Sequence, residues 1–430
     1  MVWQTDLIQA IACFIADANT LFHFLTALEP TNNLGGLSHL LSRLIVAGDS
    51  KQGVWPILRI TSRTVDDPTL KELVKCYSHI ELAVACDFSW LHVAPSSTVH
   101  LSAFPAYLEP EASDAWYHKL TRWPVTHITW TRHYDEDLDA FLAALPRMRR
   151  LTSLTINHET SLAPLLEFIS TSKLTEVHIM SQSPYTGDGG TCNNELTWLT
   201  KWLESQPVQA FSWFNWETLK CCSSATTQAF LDALAQSPAL ISVGLNWLSL
   251  ADVRDHSFRL PPSLKSLTLD NVYVETHKDE VAMAKLMQKS NVQVLSIHGA
   301  RFFEFFHAFL DGLPTSLVRL TLQQSRLTYV ECHLLAQFIP TKTIVHLDLS
   351  ENTAGNRGAR ALAKVLEASS IEELCLNQNN LTEAAVKVLI EVAHAKQPPI
   401  SLSLIDNSID DEEQDSLITL ARQRGVALSL

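Results

Sequence analysis

The chain has 430 residues, 46% of them hydrophobic and 18% charged, and a formal net charge of −14. That composition fits a folded chain with a large core, and an acidic balance without a run of Lys and Arg excludes a general nucleic-acid or acidic-membrane surface. The eight cysteines (13, 76, 86, 192, 221, 222, 332 and 375) show no CxxC or Cys/His spacing, so neither a zinc site nor a disulfide framework is expected, and a reducing, intracellular compartment is.

The first apolar stretch, LIQAIACFIADANTLFHFLTAL from Leu7 to Leu28, is interrupted by Asp17, Asn19 and His23 and preceded by Asp6. It therefore reads as neither a membrane span nor a secretory signal. It reads as two short helices, with Asp6 and Asn19 as N-caps and Leu7, Ile8, Ile11, Phe14 and Ile15 as an apolar stripe. A third apolar segment comes next in LGGLSHLLSRLI. Residues 1–50 thus form a helical segment, which could cap the rest of the chain or dock on another protein.

From residue 51 the pattern changes to short strands. WPILRITSR and IELAVACDF are weak candidates, and VTHITWTRHYD from Val125 is a stronger one. LTSLTINHETS, LTEVHIMSQSP and VQAFSWFNWET begin at Leu151, Leu174 and Val208. Gaps of 34 and 32 residues after Leu174 and Val208 imply insertions. One of them, SPYTGDGGTCNN at 183–194, lacks the Lys-Ser/Thr ending of a phosphate loop and is expected to be a surface excursion.

From Leu240 the array becomes regular. LISVGLNWLSL, LKSLTLDNVYV, VQVLSIHGARF, LVRLTLQQSRL, IVHLDLSENTA, IEELCLNQNNL and PISLSLIDNSI start at 240, 264, 292, 317, 344, 371 and 399, with steps of 24, 28, 25, 27, 27 and 28 residues. Each has apolar residues at positions 4 and 6 and, in the clearest units, Asn at 9. Between them GNRGARALAKVLEAS and LTEAAVKVLIEVAHA carry helical spacing. A strand–turn–helix unit repeated at this period cannot bury its own apolar face, so neighbours must stack. The acidic run Asp410 to Asp415 is expected to be a solvated helix start.

These units resemble leucine-rich repeats, and their length and helix type are similar to the ribonuclease-inhibitor-like class. The resemblance implies an α/β horseshoe with a parallel sheet on its concave face and helices on its convex face, spanning 51–430, regular from about 240 and irregular with insertions before. Ser325 and Ala300 stand where the family prefers Asn or Cys, which weakens a turn without removing its strand. Residues 1–50 resemble an F-box, a module that docks on a Skp-type adaptor of a cullin ubiquitin ligase. That resemblance implies adaptor docking through Leu7, Ile8, Ile11, Leu21, Phe22 and Leu25.

No HExxH, GxSxG or GxGxxG motif occurs, so no catalytic residue, cofactor or metal is expected and the chain reads as non-enzymatic. Side chains alternate across a strand, which places Phe214, Trp247, Asp270, His298, Arg319, Gln323, His346, Asp348, Glu351, Glu372, Glu373 and Asn377 on the concave face. Aromatic residues beside carboxylates suit a protein ligand carrying basic residues. The expected function is partner binding on this face, as a ubiquitin-ligase substrate receptor if the F-box reading holds. The other reading is a regulatory scaffold of the small-GTPase or sensor type. The cytoplasm is the expected location, with the nucleus open, and neither nucleic acid nor membrane is an expected partner.

Overall fold

The computed structural model describes residues 5–31, 33–47, 54–105, 110–132, 138–158, 162–180, 189–213, 218–246, 258–272, 276–300 and 306–430. The chain divides into two compact units, Met1–Ser183 and Pro184–Leu430. The first holds strands β1 (Ile57–Ile60), β2 (His79–Leu82), β3 (Thr98–Leu101), β4 (His127–Arg132), β5 (Ser153–His158) and β6 (Glu176–Ile179). The second holds β7 (Ala210–Trp213), β8 (Ser242–Asn246), β9 (Ser266–Asp270), β10 (Val294–His298), β11 (Arg319–Gln323), β12 (His346–Asp348), β13 (Glu373–Cys375), β14 (Ser401–Ser403) and β15 (Leu428–Ser429). Within each unit the strands pair in sequence order, and the paired strands are parallel.

The apolar template dictates this arrangement. Leu267 and Leu269, Leu295 and Ile297, Leu320 and Leu322, Leu347 and Leu349, Leu374 and Leu376, and Leu402 and Leu404 are each at most 1% exposed. Parallel register lines them up from strand to strand, so one continuous core runs beneath each sheet. Burying a side chain of this size contributes about 1.5–3 kcal/mol. The helices Gly355–Leu366, Glu383–Ala395 and Asp411–Arg424 pack side by side and close that core with Leu362, Leu366, Val386, Leu389, Ile390 and Leu417.

Helix starts are set locally. Thr276 with Asp279, Thr328 with Glu331 and Asp410 with Glu413 form capping boxes, which satisfy backbone N–H groups a first turn leaves free. Asp410 to Glu413 is therefore the helix start its charge run suggested. Gly312 ends the helix Phe306–Gly312 where it meets the helix His277–Gln288. A Cβ there would lie 2.4 Å from the Ala284 Cα.

In the first unit the core is aromatic. Trp130 of β4 stacks on Phe141 with ring centres 4.8 Å apart, and Phe88 meets Trp123 edge-on at 5.1 Å. Among the described residues the helices α1 (Thr5–Phe14), α2 (Ala18–Leu28) and α3 (Ser38–Ala47) come before β1. The N-cap of α2 is Asp17, which accepts from the Thr20 backbone N at 2.6 Å, and Asn19 lies inside the helix. Asp6 likewise lies inside α1. The helices are joined to the first repeat: Trp55, 2% exposed, donates its Nε1 to the Ile15 carbonyl at 2.6 Å, and Cys13 Sγ donates to the Cys76 carbonyl at 3.3 Å. The loop expected at 183–194 is helical from Gly189, the start of Gly189–Ser205. Two strands were hidden from the template: β3, in TVHL, and β15.

Candidate partner-binding face

The helices lie against one face of the sheet, so alternate residues of β8–β14 lie on the other. Register groups them into rows. One row runs Ser242, Ser266, Val294, Arg319, His346, Glu373, Ser401. The next runs Gly244, Thr268, Ser296, Thr321, Asp348, Cys375, Ser403, and a third begins Asn246, Asp270, His298, Gln323.

Carboxylates on this face are tied to neutral or imidazole donors. His346 Nδ1 lies 2.5 Å from Glu373 Oε2, and His298 Nδ1 lies 2.8 Å from Asp270 Oδ1. The Gln323 amide donates to Asp348 at 2.7 Å, Gln324 donates to Glu351, and Gln378 donates to Asp406 at 3.3 Å. An amide donor fixes a carboxylate without cancelling its charge. Arg319 is the only Lys or Arg on the open face of these strands among the described residues.

The electrostatic consequences are measurable. The Asp270 contact holds the His298 imidazolium above the ordinary histidine range against its burial, helped by the charges of Asp270, Asp348 and Glu351. Burial, then the charges of Asp348 and Glu373, push the Cys375 thiol up to about 11 despite Arg319, so it stays protonated and is a poor nucleophile.

Asp270, His298, Arg319, Gln323, His346, Asp348, Glu351 and Glu373 come together on this face. Glu372 does not: it is exposed but stands one residue before β13, out of the alternating register, beside Lys396. Asn377 spends its side-chain oxygen on Ser403 Oγ at 2.9 Å and the Ile405 backbone N at 2.8 Å, so it fastens one repeat to the next. Asn246, also an outward position by alternation, is only 4% exposed. Phe214 and Trp247 lie outside the described residues. In α1 and α2, Leu7 is 48% exposed and Ile11 half-buried, whereas Ile8, Leu21, Phe22 and Leu25 are at most 2% exposed and belong to the core. Phe14, 89% exposed, was not among the docking residues read from the sequence.

A second row was missed by sequence reasoning because its strands precede the regular template. In the first unit Arg59, Glu81, His100, His127, Ser153 and Glu176 fall in one register across β1–β6. His100 Nε2 lies 2.7 Å from Thr129 Oγ1, and the His100 and His127 rings are 6.3 Å apart. Burial holds His100, His127 and His178 below the ordinary histidine range.

Behind the face of the second unit, the ninth position of the template explains the repeat. Asn352 Oδ1 accepts from the backbone N of Ser325 and Leu327, both at 3.0 Å, while its Nδ2 donates to the carbonyls of Leu322 and Leu349 at 2.7 and 2.8 Å. Asn407 does the same for Asn379 and Leu381 at 2.9 Å, two repeats on. One position earlier Asn271, Gly299, Gln324, Glu351, Gln378 and Asp406 all have positive φ, between 49° and 68°. The same turn is thus made in six successive units, and the template asparagines bond such turns across neighbouring repeats.

The chain has a leucine-rich repeat fold. Its Ser325, where Asn is usual, donates locally to the Gln323 carbonyl at 3.0 Å, and β10 and β11 still pair over their full five residues. No family model matches the chain. A Mus musculus protein, "NACHT, LRR and PYD domains-containing protein 14", is 35% identical over 96 residues, 22% of this chain, which spans 10% of that protein's length. A solved complex of Rad7 and Elc1 from yeast is similar over 95% of this chain and 90% of that one, at 12% identity and a TM-score of 0.44. A Bacteroides fragilis structure is similar over 66% of this chain and 76% of its own, at 11% identity and a TM-score of 0.40. No helix among the described residues is long and apolar enough to cross a membrane.

Proposed function

We propose that this leucine-rich repeat protein is a non-enzymatic interaction module whose open sheet face between β9 and β14 holds a basic segment of a protein partner. One observation carries the reading: Asp270, Asp348, Glu351, Glu373 and Asp406 are held in place by amide or imidazole donors, with Arg319 the only Lys or Arg among them on the described face. A preorganised acidic surface attracts Lys and Arg at long range and loses little freedom when it pairs with them. The test is recovery of the partner by wild type and by an Asp348→Asn plus Glu373→Gln variant over a salt series. Recovery that falls with salt and drops in the variant supports the reading; recovery indifferent to both removes it.

A second reading, that the N-terminal helices dock this module on a Skp-type adaptor as a ubiquitin-ligase substrate receptor, is favoured by α1. Leu7, Ile11 and Phe14 are spaced i, i+4, i+7, with Leu7 and Phe14 exposed and Ile11 half-buried between them. Leu7→Asp plus Phe14→Asp alters exposed positions only. Adaptor that co-purifies with wild type and not with this variant supports docking. Adaptor that binds neither leaves α1–α3 as a cap on the first repeat.

A further inference from the structure

At the amino-terminal edge of β4 and β5, the structure brings together cations that have no carboxylate partner among the described residues. His118, near the end of the helix Pro110–Leu120, is exposed. Its Nε2 lies 3.5 Å from Arg122 Nη2 and its Nδ1 3.5 Å from Arg147 Nη1. An imidazole never has two acceptor nitrogens: the neutral ring has one N–H and one lone pair, the imidazolium two N–H groups. At least one contact therefore sets donor against donor, whichever way the ring is protonated.

Neither arginine has a carboxylate partner among the described residues, and exposed Arg149 adds a third charge just beyond Arg147. The chain has 46 acidic residues against 32 Lys and Arg, so the lack of a partner is not a shortage of acids. Arg150 anchors the segment by donating to the carbonyls of Pro95 and Ser97 at 2.6 and 2.8 Å.

We propose that His118, Arg122, Arg147 and Arg149 form a site for a phosphorylated side chain of a protein partner. An anion between the two guanidiniums accepts from both and from a ring N–H, which removes the donor conflict. Charge selects the class: a carboxylate brings one negative charge, whereas a phosphate monoester brings about −1.5 to −2 and three acceptor oxygens. The surroundings exclude a polyanion. Asp114 lies one turn before His118, Glu111 lies on the same helix and Asp87 already holds Lys119 at 3.2 Å, so an extended nucleic acid or an anionic bilayer would meet these carboxylates together, while one phosphate on a peptide meets at most Asp114.

The test uses the full chain with ring-¹³C histidine, its His118 resonance identified by its absence in His118→Gln. Inorganic phosphate and a mixed-sequence heptapeptide with central phosphoserine are titrated at constant ionic strength, beside the same peptide with glutamate. The expected result is a saturable His118 shift with phosphate and with the phosphopeptide, the glutamate peptide binding at least about tenfold more weakly. In Arg122→Ala plus Arg147→Ala, checked for an unchanged melting temperature, the shift disappears; in Arg122→Lys plus Arg147→Lys, which guards against misfolding, it weakens. Saturation by phosphate alone would mean an adventitious ion only and would overturn the proposal. So would no saturable shift, an unchanged shift in the alanine variant, or capture by anionic vesicles but not by the phosphopeptide.

Discussion

Asn352 bonds the turn of the repeat before its own: its Oδ1 receives the Ser325 backbone N–H at 3.0 Å while Ser325, at the same template position, uses its own hydroxyl locally. The repeats are thus unequal links of one chain of turns.

Asn352→Ala removes bonds to five backbone groups of buried turns. It is expected to cost about 2–4 kcal/mol, because the orphaned N–H and C=O groups stay buried. Ser325→Ala loses one local bond and is expected to cost about 1 kcal/mol or less. Urea denaturation of the two variants beside wild type checks the ratio; equal losses would contradict the ladder.

Gly312→Ala places a Cβ against the Ala284 backbone, which cannot move without shifting the helix His277–Gln288. Overpacking of this kind costs about 1–3 kcal/mol. A lower denaturation midpoint with an unchanged slope is the expected result.

The pH dependences of the two units run in opposite directions. His298 has a raised folded pKa, so its pairing with Asp270 is fully present below the unfolded histidine value and is lost as pH rises through the raised one. Imidazole NMR is expected to give His298 a pKa above that of a free histidine, falling in Asp270→Asn.

His100, His127 and His178 have lowered folded values. They cost the first unit nothing above the unfolded histidine pKa of about 6.5 and destabilise it as pH falls below that value, because the unfolded chain takes up protons first. Glu81 eases the charging of His100, and Glu176 that of His127 and His178, but burial outweighs both. Protection factors of β3–β6, with exchange taken relative to the intrinsic amide rate at each pH, are expected to fall between about pH 7 and 5, and less so in His127→Gln.

Much of the second unit was legible because its strands bury Leu or Ile at fixed template positions, and period-2 alternation then assigns a face to every residue between. Alternation cannot say what an outward side chain does next. Asn377 points outward and is spent on its neighbour, and Glu372 is exposed for being outside the strand. In the first unit Trp130, Phe141, Tyr117 and Trp123 fill the space that leucines fill later. The template fades there, and with it the row through His100 and His127. The Arg122–His118–Arg147 cluster joins residues 25 apart across two repeats, which needs the register of the stack before it can be seen. Asp17 rather than Asn19 caps α2 because helix ends are decided by one turn of backbone.

The open face of β9–β14 is proposed to select basic segments. The most direct measurement is selection from a random displayed-peptide library by wild type, by Asp348→Asn plus Glu373→Gln, and by Arg319→Ala. The expected result is enrichment of Arg and Lys with wild type, lost with the first variant and kept with the second. Peptides without basic enrichment, or the same peptides with both variants, would contradict it.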